Sequence, residues 1–153
     1  MKSFICLIAI LFISSSYAYA SSDESGGVIN IKSNHTVEQT ITKLETELKN
    51  KGMTIFKRVS HSEGAAGVGL KLRPTEILIF GNPKIGTKLM QCEQLAGLDL
   101  PLKALAYQDS EGQVWLAYNN PDYIARRYDI KGCAEVITKM TNALSNFSKA
   151  ATQ

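Results

Sequence analysis

Residues 72–87 read Leu72-Arg73-Pro74-Thr75-Glu76-Ile77-Leu78-Ile79-Phe80-Gly81-Asn82-Pro83-Lys84-Ile85-Gly86-Thr87. Glu76 to Phe80 is a short, nearly continuous apolar run, the pattern of a strand covered on both faces. Asn82-Pro83 then places a capping residue before a proline at the first helical position, where the missing N–H costs nothing. The spacing predicts a helix to about Gln91 and a further helical turn around Glu93 to Ala96. A strand that runs straight into a helix implies that both element types share one core.

The flanking segments extend this pattern. Upstream, Val28 to Lys32 reads as a short strand. Thr36-x-x-Gln39 is a capping box, and behind it Val37, Ile41, Leu44 and Leu48 form one apolar stripe at helical spacing. Gly52 ends that helix, Met53 to Val59 is a second strand, and Ser60-x-x-Glu63 opens a short helix through Ala65, Ala66 and Val68. Downstream, Leu102 to Gln108 and Gln113 to Tyr118 are strands joined by the polar, Gly-ended loop Asp109-Ser110-Glu111-Gly112, a hairpin signal. Asn120-Pro121 repeats the cap-plus-proline device and starts a helix through Tyr128. After Gly132 a last helix carries Cys133, Ile137, Met140, Leu144 and Phe147 on one stripe. The sum is an α+β domain of about five strands with a long C-terminal helix. Its expected core includes Ile41, Leu44, Leu48, Ile77, Ile79, Ile137, Met140 and Leu144.

The block from Leu72 to Thr87, with Leu89-Met90-Gln91, Gly97-Leu98-Asp99-Leu100-Pro101-Leu102 and Trp115-Leu116-Ala117-Tyr118-Asn119-Asn120-Pro121, resembles the bacterial and archaeal family called domain of unknown function 302. Order and spacing both match, and with the segment around His61 the resemblance covers most of the chain after residue 20. It implies a mostly antiparallel sheet with helices packed on one face, similar to TATA-binding-protein-like folds. Such a grip of sheet and helix can leave a cavity beneath the long helix. The resemblance implies a fold and a periplasmic compartment, and no reaction.

Residues 1–20 have the parts of a secretory signal: Lys2 at the start, an apolar run from Phe4 to Ile13, and Ala18-Tyr19-Ala20 as a small-x-small cleavage site. The run is shorter than the roughly 20 apolar residues that span a bilayer. Cleavage near Ala20 is expected, giving an exported chain in the periplasm or outside the cell with no membrane span. Ser21 to Gly27 reads as a flexible lead-in, and residues 28–153 as a single domain. The net charge of +3 falls by one unit with Lys2, too little to imply nucleic acid.

Chemistry-bearing residues are few. The chain has two histidines, and His35 and His61 make no zinc pattern. No cofactor motif is present, and there is neither a phosphate-binding P-loop nor a Gly-x-Ser-x-Gly elbow. His61, in a position where the resembled family usually has a histidine, is the natural proton carrier near neutral pH. The start of the helix at Asn82 and Lys84 offers backbone donors to a carboxylate or phosphate. Trp115 and Tyr118, on the neighbouring hairpin, suit an apolar ligand portion. Arg126-Arg127 is a candidate anion contact at the rim of a pocket. His61, Met90 and Cys92 are an alternative set for copper(I), because thioether and thiolate suit that ion. Cys92 and Cys133 are an even pair in an oxidising compartment; a disulfide and two separate buried thiols are both open.

Three function classes follow. The first is a non-catalytic, exported small-molecule-binding or accessory domain with its site near His61, Asn82 and Lys84. The second is an enzyme or soft-metal protein acting through His61 with Met90 and Cys92. The third is a structural protein whose apolar sheet face forms a homodimer. The lack of a paired acid-base or nucleophile motif favours the first.

Overall fold

A computed structural model describes residues 27–153; the expected signal sequence and residues 21–26 of the lead-in lie outside the described residues. The elements run β1 (Val28–Ser33), α1 (Val37–Asn50), β2 (Thr54–Ser60), α2 (His61–Gly67), β3 (Thr75–Gly81), α3 (Pro83–Cys92), a 3-10 helix (Gln94–Leu98), β4 (Leu102–Gln108), β5 (Val114–Asn119), α4 (Pro121–Arg127) and α5 (Ala134–Thr152). Five strands form one sheet in the order β1-β5-β4-β3-β2, and every neighbouring pair is antiparallel. β1 and β2 lie on opposite edges, so α1 crosses the sheet between them.

The local chemistry explains the boundaries. The Thr36 hydroxyl accepts from Gln39 N while the Gln39 side chain accepts from Thr36 N, which closes the capping box at α1. Gly52, at φ +71°, takes the left-handed backbone that lets the chain turn into β2. At α2 the Ser60 hydroxyl accepts from Glu63 N. The hairpin loop closes on Asp109, whose Oδ1 accepts from Glu111 N and Gln113 N, both at 2.9 Å.

The main core lies between one face of the sheet and the pair α1 and α5. Ile41, Leu44 and Leu48 from α1 and Leu144, Phe147 and Ala151 from α5 meet Leu78, Phe80, Ala104, Ala106 and Leu116 from the strands. A second, smaller core joins Leu89 of α3, Ala96, Cys133, Ile137 and Met140. Arg58 ties the edge of the sheet to α1: its guanidinium donates to both carboxylate oxygens of Glu76, to the Thr42 hydroxyl at 3.0 Å and to the Glu38 carbonyl.

Two core expectations are corrected. β3 is not covered on both faces, and its buried residues are Leu78 and Phe80, each fully excluded from solvent, while Ile77 and Ile79 are half-buried. An apolar run carries no alternation, so the sequence left the inward face of β3 undefined. The register decides it. Leu78 stands opposite Ala104, which stands opposite Tyr118, and this row faces α1 and α5. Ile77 stands in a row with Val59, Leu105 and Ala117, on the face that these two helices leave uncovered.

Candidate functional site

β3 ends at Gly81 and the chain turns at once into α3. The Asn82 side-chain oxygen accepts from Lys84 N at 3.0 Å and Ile85 N at 3.4 Å, so the cap residue itself occupies two donors at the helix start. At its other end α3 is bonded to α5: Cys92 and Cys133 form a disulfide with α-carbons 6.4 Å apart, inside the range for an unstrained bridge. Between these anchors α3 packs on α5 and on the 3-10 helix.

α3, the Gly81 end of the sheet and α5 enclose a cavity of about 330 Å³. This is near the lower end of the range for small-molecule sites, roughly 300–1,000 Å³. α3 contributes Ile85, Thr87 and Met90, and α5 contributes Lys139, Met140, Ala143, Leu144 and Phe147. Phe56 and Phe80 come from β2 and β3, Met53 from the turn just before β2, Leu100 and Pro101 from the approach to β4, and Leu102 is the first residue of β4. Phe56 is 51% exposed and therefore stands at the mouth. All three methionines after residue 20, Met53, Met90 and Met140, line the wall. A thioether chain has three rotatable bonds and adapts to irregular apolar shapes. Gly97 makes room for one of them: a Cβ there would come 3.2 Å from Met90 Sδ.

Polar groups on the lining are few: the side chains of Asn82, Thr87 and Lys139. The described lining holds no carboxylate, histidine or free thiol. Lys139 is exposed and forms no ion pair among the described residues. The arrangement is an adaptable apolar wall with a polar, cationic edge.

The residues singled out in the sequence are divided by the fold. Asn82 lines the cavity and Lys84 stands beside it as an exposed residue of the first turn of α3. His61 is at the opposite end of the sheet: Ser60 pairs with Glu76, whereas Gly81 pairs with Thr54, five residues along β3. At about 3.3 Å per residue this separates the two ends by roughly 17 Å. The expected site joining His61 to Asn82 and Lys84 is therefore not assembled. Trp115 lies on the sheet face away from α5, where its Nε1 donates to Asp109 Oδ2 at 2.7 Å. That bond is the main reason the Asp109 carboxyl titrates below its ordinary range. Tyr118 is a core residue, and burial pushes its phenol up, opposed by the Ser148 hydroxyl. Neither aromatic reaches the cavity. Arg127 contacts Asp99, with Nη1 3.4 Å from Oδ2, and does not line the cavity either.

The copper set also fails to form. Cys92 spends its sulfur on Cys133, and His61 is a sheet length from Met90. Among the described residues no group of three or more His, Cys, Asp or Glu is arranged to hold a metal. Sequence reasoning missed Met53, Phe56, Met140 and Lys139 as site residues. No local sequence signal singles them out: Met53 precedes β2, Met90 lies near the end of α3 and Met140 lies inside α5.

Fold and site together define an α+β domain in which an antiparallel sheet and a disulfide-tied helix grip an apolar cavity. The chain belongs to the family described as Domain of unknown function DUF302, whose profile matches residues 29–147. It is 44% identical over 113 residues to Fluoride-specific ion channel FluC 1 of Brucella suis biovar 1 (strain 1330), covering 74% of this chain and 44% of that protein. It is likewise 44% identical over 113 residues to Fluoride-specific ion channel FluC 2 of Brucella melitensis biotype 1, covering 42% of that protein. The chain thus spans less than half the length of these curated relatives. A crystal structure of an uncharacterized conserved protein DUF302 from Bacillus stearothermophilus superposes with a TM-score of 0.75 over 83% of this chain and 99% of that one. At 21% identity this likeness shows the fold alone.

Proposed function

We propose that this is an exported, non-catalytic binding domain that takes a small, mainly apolar molecule in the cavity between α3 and α5. The observation that carries the reading is the cavity itself, about 330 Å³ with a wall almost wholly of aliphatic, aromatic and thioether side chains. Burial of apolar ligand surface would supply most of the affinity, at roughly 25 cal/mol per Å², and the few polar groups at the edge would set orientation. Export is supported by the leader pattern in residues 1–20 and by the Cys92–Cys133 bond, which suits an oxidising compartment.

The curated relatives carry the name of ion channels, yet no described helix here is long and apolar enough to cross a membrane. This favours an extramembrane, accessory role for the shared segment. Binding is tested with the neutral apolar dye N-phenyl-1-naphthylamine. Its fluorescence should rise on titration with the protein, and Ala143→Phe, which fills the cavity from α5, should abolish the rise while leaving the circular dichroism unchanged. Equal dye binding by the filled variant would sink the reading.

A second reading rests on the uncovered face of the sheet. Ile77, Ile79, Leu105 and Trp115 are half-buried there, outside the cover of α1 and α5. Such a face is suited to pairing with a second copy in a homodimer. Sedimentation equilibrium of the protein and of Leu105→Glu separates the two states.

A further inference from the structure

We propose that the ligand of this cavity is an amphiphile of one apolar chain and one negatively charged head, a medium-chain carboxylate in chemical class, with its head held by Lys139. The proposal rests on the reading of the cavity as a ligand site and adds the sign and place of the charge.

Lys139 is the one charged side chain on the described lining, and no Asp or Glu accompanies it. A lysine on an apolar wall keeps its ammonium in water and lays its stem along the wall, so its charge belongs at the mouth. It is exposed and has no ion-pair partner among the described residues, so no internal carboxylate competes for it. Thr87, exposed on α3, adds a hydroxyl that can donate to the same head. Lys84 and Lys88, exposed on the same helix and likewise without ion pairs among the described residues, raise the positive potential around the mouth.

The rest of the wall excludes other classes. Met90, Met140 and Phe147 offer nothing to a second charge or to a sugar, and burying an unpaired polar group against them would be costly. A phosphate-bearing ligand would want the free amides of the α3 start, but Asn82 already occupies the Lys84 and Ile85 N–H groups. No arginine lines the cavity to supply a two-pronged contact. A cationic head would meet Lys139. An anionic head of one charge on an unbranched chain satisfies both the edge and the wall.

The experiment compares decanoate, decanol and decyltrimethylammonium by isothermal titration calorimetry at low ionic strength, below their aggregation concentrations. Decanoate should bind about fivefold tighter than decanol, the scale of an ion pair open to water, and the ammonium compound should bind weakest. Lys139→Gln should bring the decanoate-to-decanol ratio to one, whereas Lys149→Gln, farther along α5, should leave the ratio intact. Equal affinity for decanoate and decanol, or a preference that survives in Lys139→Gln, overturns the charge assignment while leaving the cavity reading in place. If none of the three binds, both fall together.

Discussion

Cys92, the last residue of α3, is bonded to Cys133, the residue that precedes α5, with their α-carbons 6.4 Å apart. The two helices joined in this way are also the two that face each other across the cavity. The bond spans 41 residues and fixes the end of α3 that the sheet does not hold. Its other end is already fixed, because β3 runs directly into it through Asn82.

A Cys92→Ser/Cys133→Ser double variant should lose roughly 2–4 kcal/mol of stability, the usual range for removing such a cross-link. It should also bind the neutral dye more weakly, because α3 would lose its clasp on α5. Urea titration gives the first quantity and dye titration the second. An unchanged affinity would mean that the second core alone holds α3 in place.

Leu44 and Leu144 are 2% and 4% exposed on facing helices above the sheet. Truncating either to Ala should cost about 2–5 kcal/mol. Ile79→Ala, on the half-buried face, should cost clearly less in the same urea titration. A reversal of that order would mean that the uncovered face is buried in solution, as the homodimer requires.

Trp115 is the one tryptophan in the chain, and its indole donates to Asp109. The folded Asp109 carboxyl titrates below its unfolded value, which is about 3.9. Its contribution to stability is thus complete above that value and is lost as pH falls through the lower folded one. Tryptophan fluorescence should change over this acid window in the native protein and should be flat there in Asp109→Asn. A change of equal size in the variant would assign the titration to another group.

His61→Ala should leave binding in the cavity unchanged, since His61 lies at the far end of β2 from Met53 and Phe56. Asn82→Ala should instead cost about 1 kcal/mol of stability through the lost cap. Dye titration and thermal melts on the two variants check both outcomes. Loss of affinity in a folded His61→Ala variant would restore the site expected from the sequence.

Export predicts that the mature chain begins at Ser21, after Ala18-Tyr19-Ala20. N-terminal sequencing of protein recovered from the periplasm or the medium reads this directly, and a chain still starting at Met1 would refute it.

Much of the fold was legible because short-range chemistry specifies it. Thr36, Ser60, Asn82 and Asn120 all cap the helices that their positions predicted, and the stripes of α1 and α5 face the core as their spacing requires. Each of those features is written within a few residues of chain, where hydrogen bonds and periodicity act. The inward face of β3 was not legible, because Ile77, Leu78, Ile79 and Phe80 are alike in polarity and only pairing with β4 distinguishes them. The pairing of Cys92 with Cys133 was left open by an even count, since sequence carries no distance; the packing of α3 on α5 closed it. The site was the least legible of all. Residues at strand ends look alike in sequence, but antiparallel pairing sends His61 to one end of the sheet and Asn82 to the other. Met53, Met90 and the adjacent pair Lys139 and Met140 are far apart along the chain and meet only where the end of the sheet, α3 and α5 close on one another. Element types and caps are local properties, so the sequence alone determined them; the cavity is a sum of long-range contacts, and only the tertiary structure decided it.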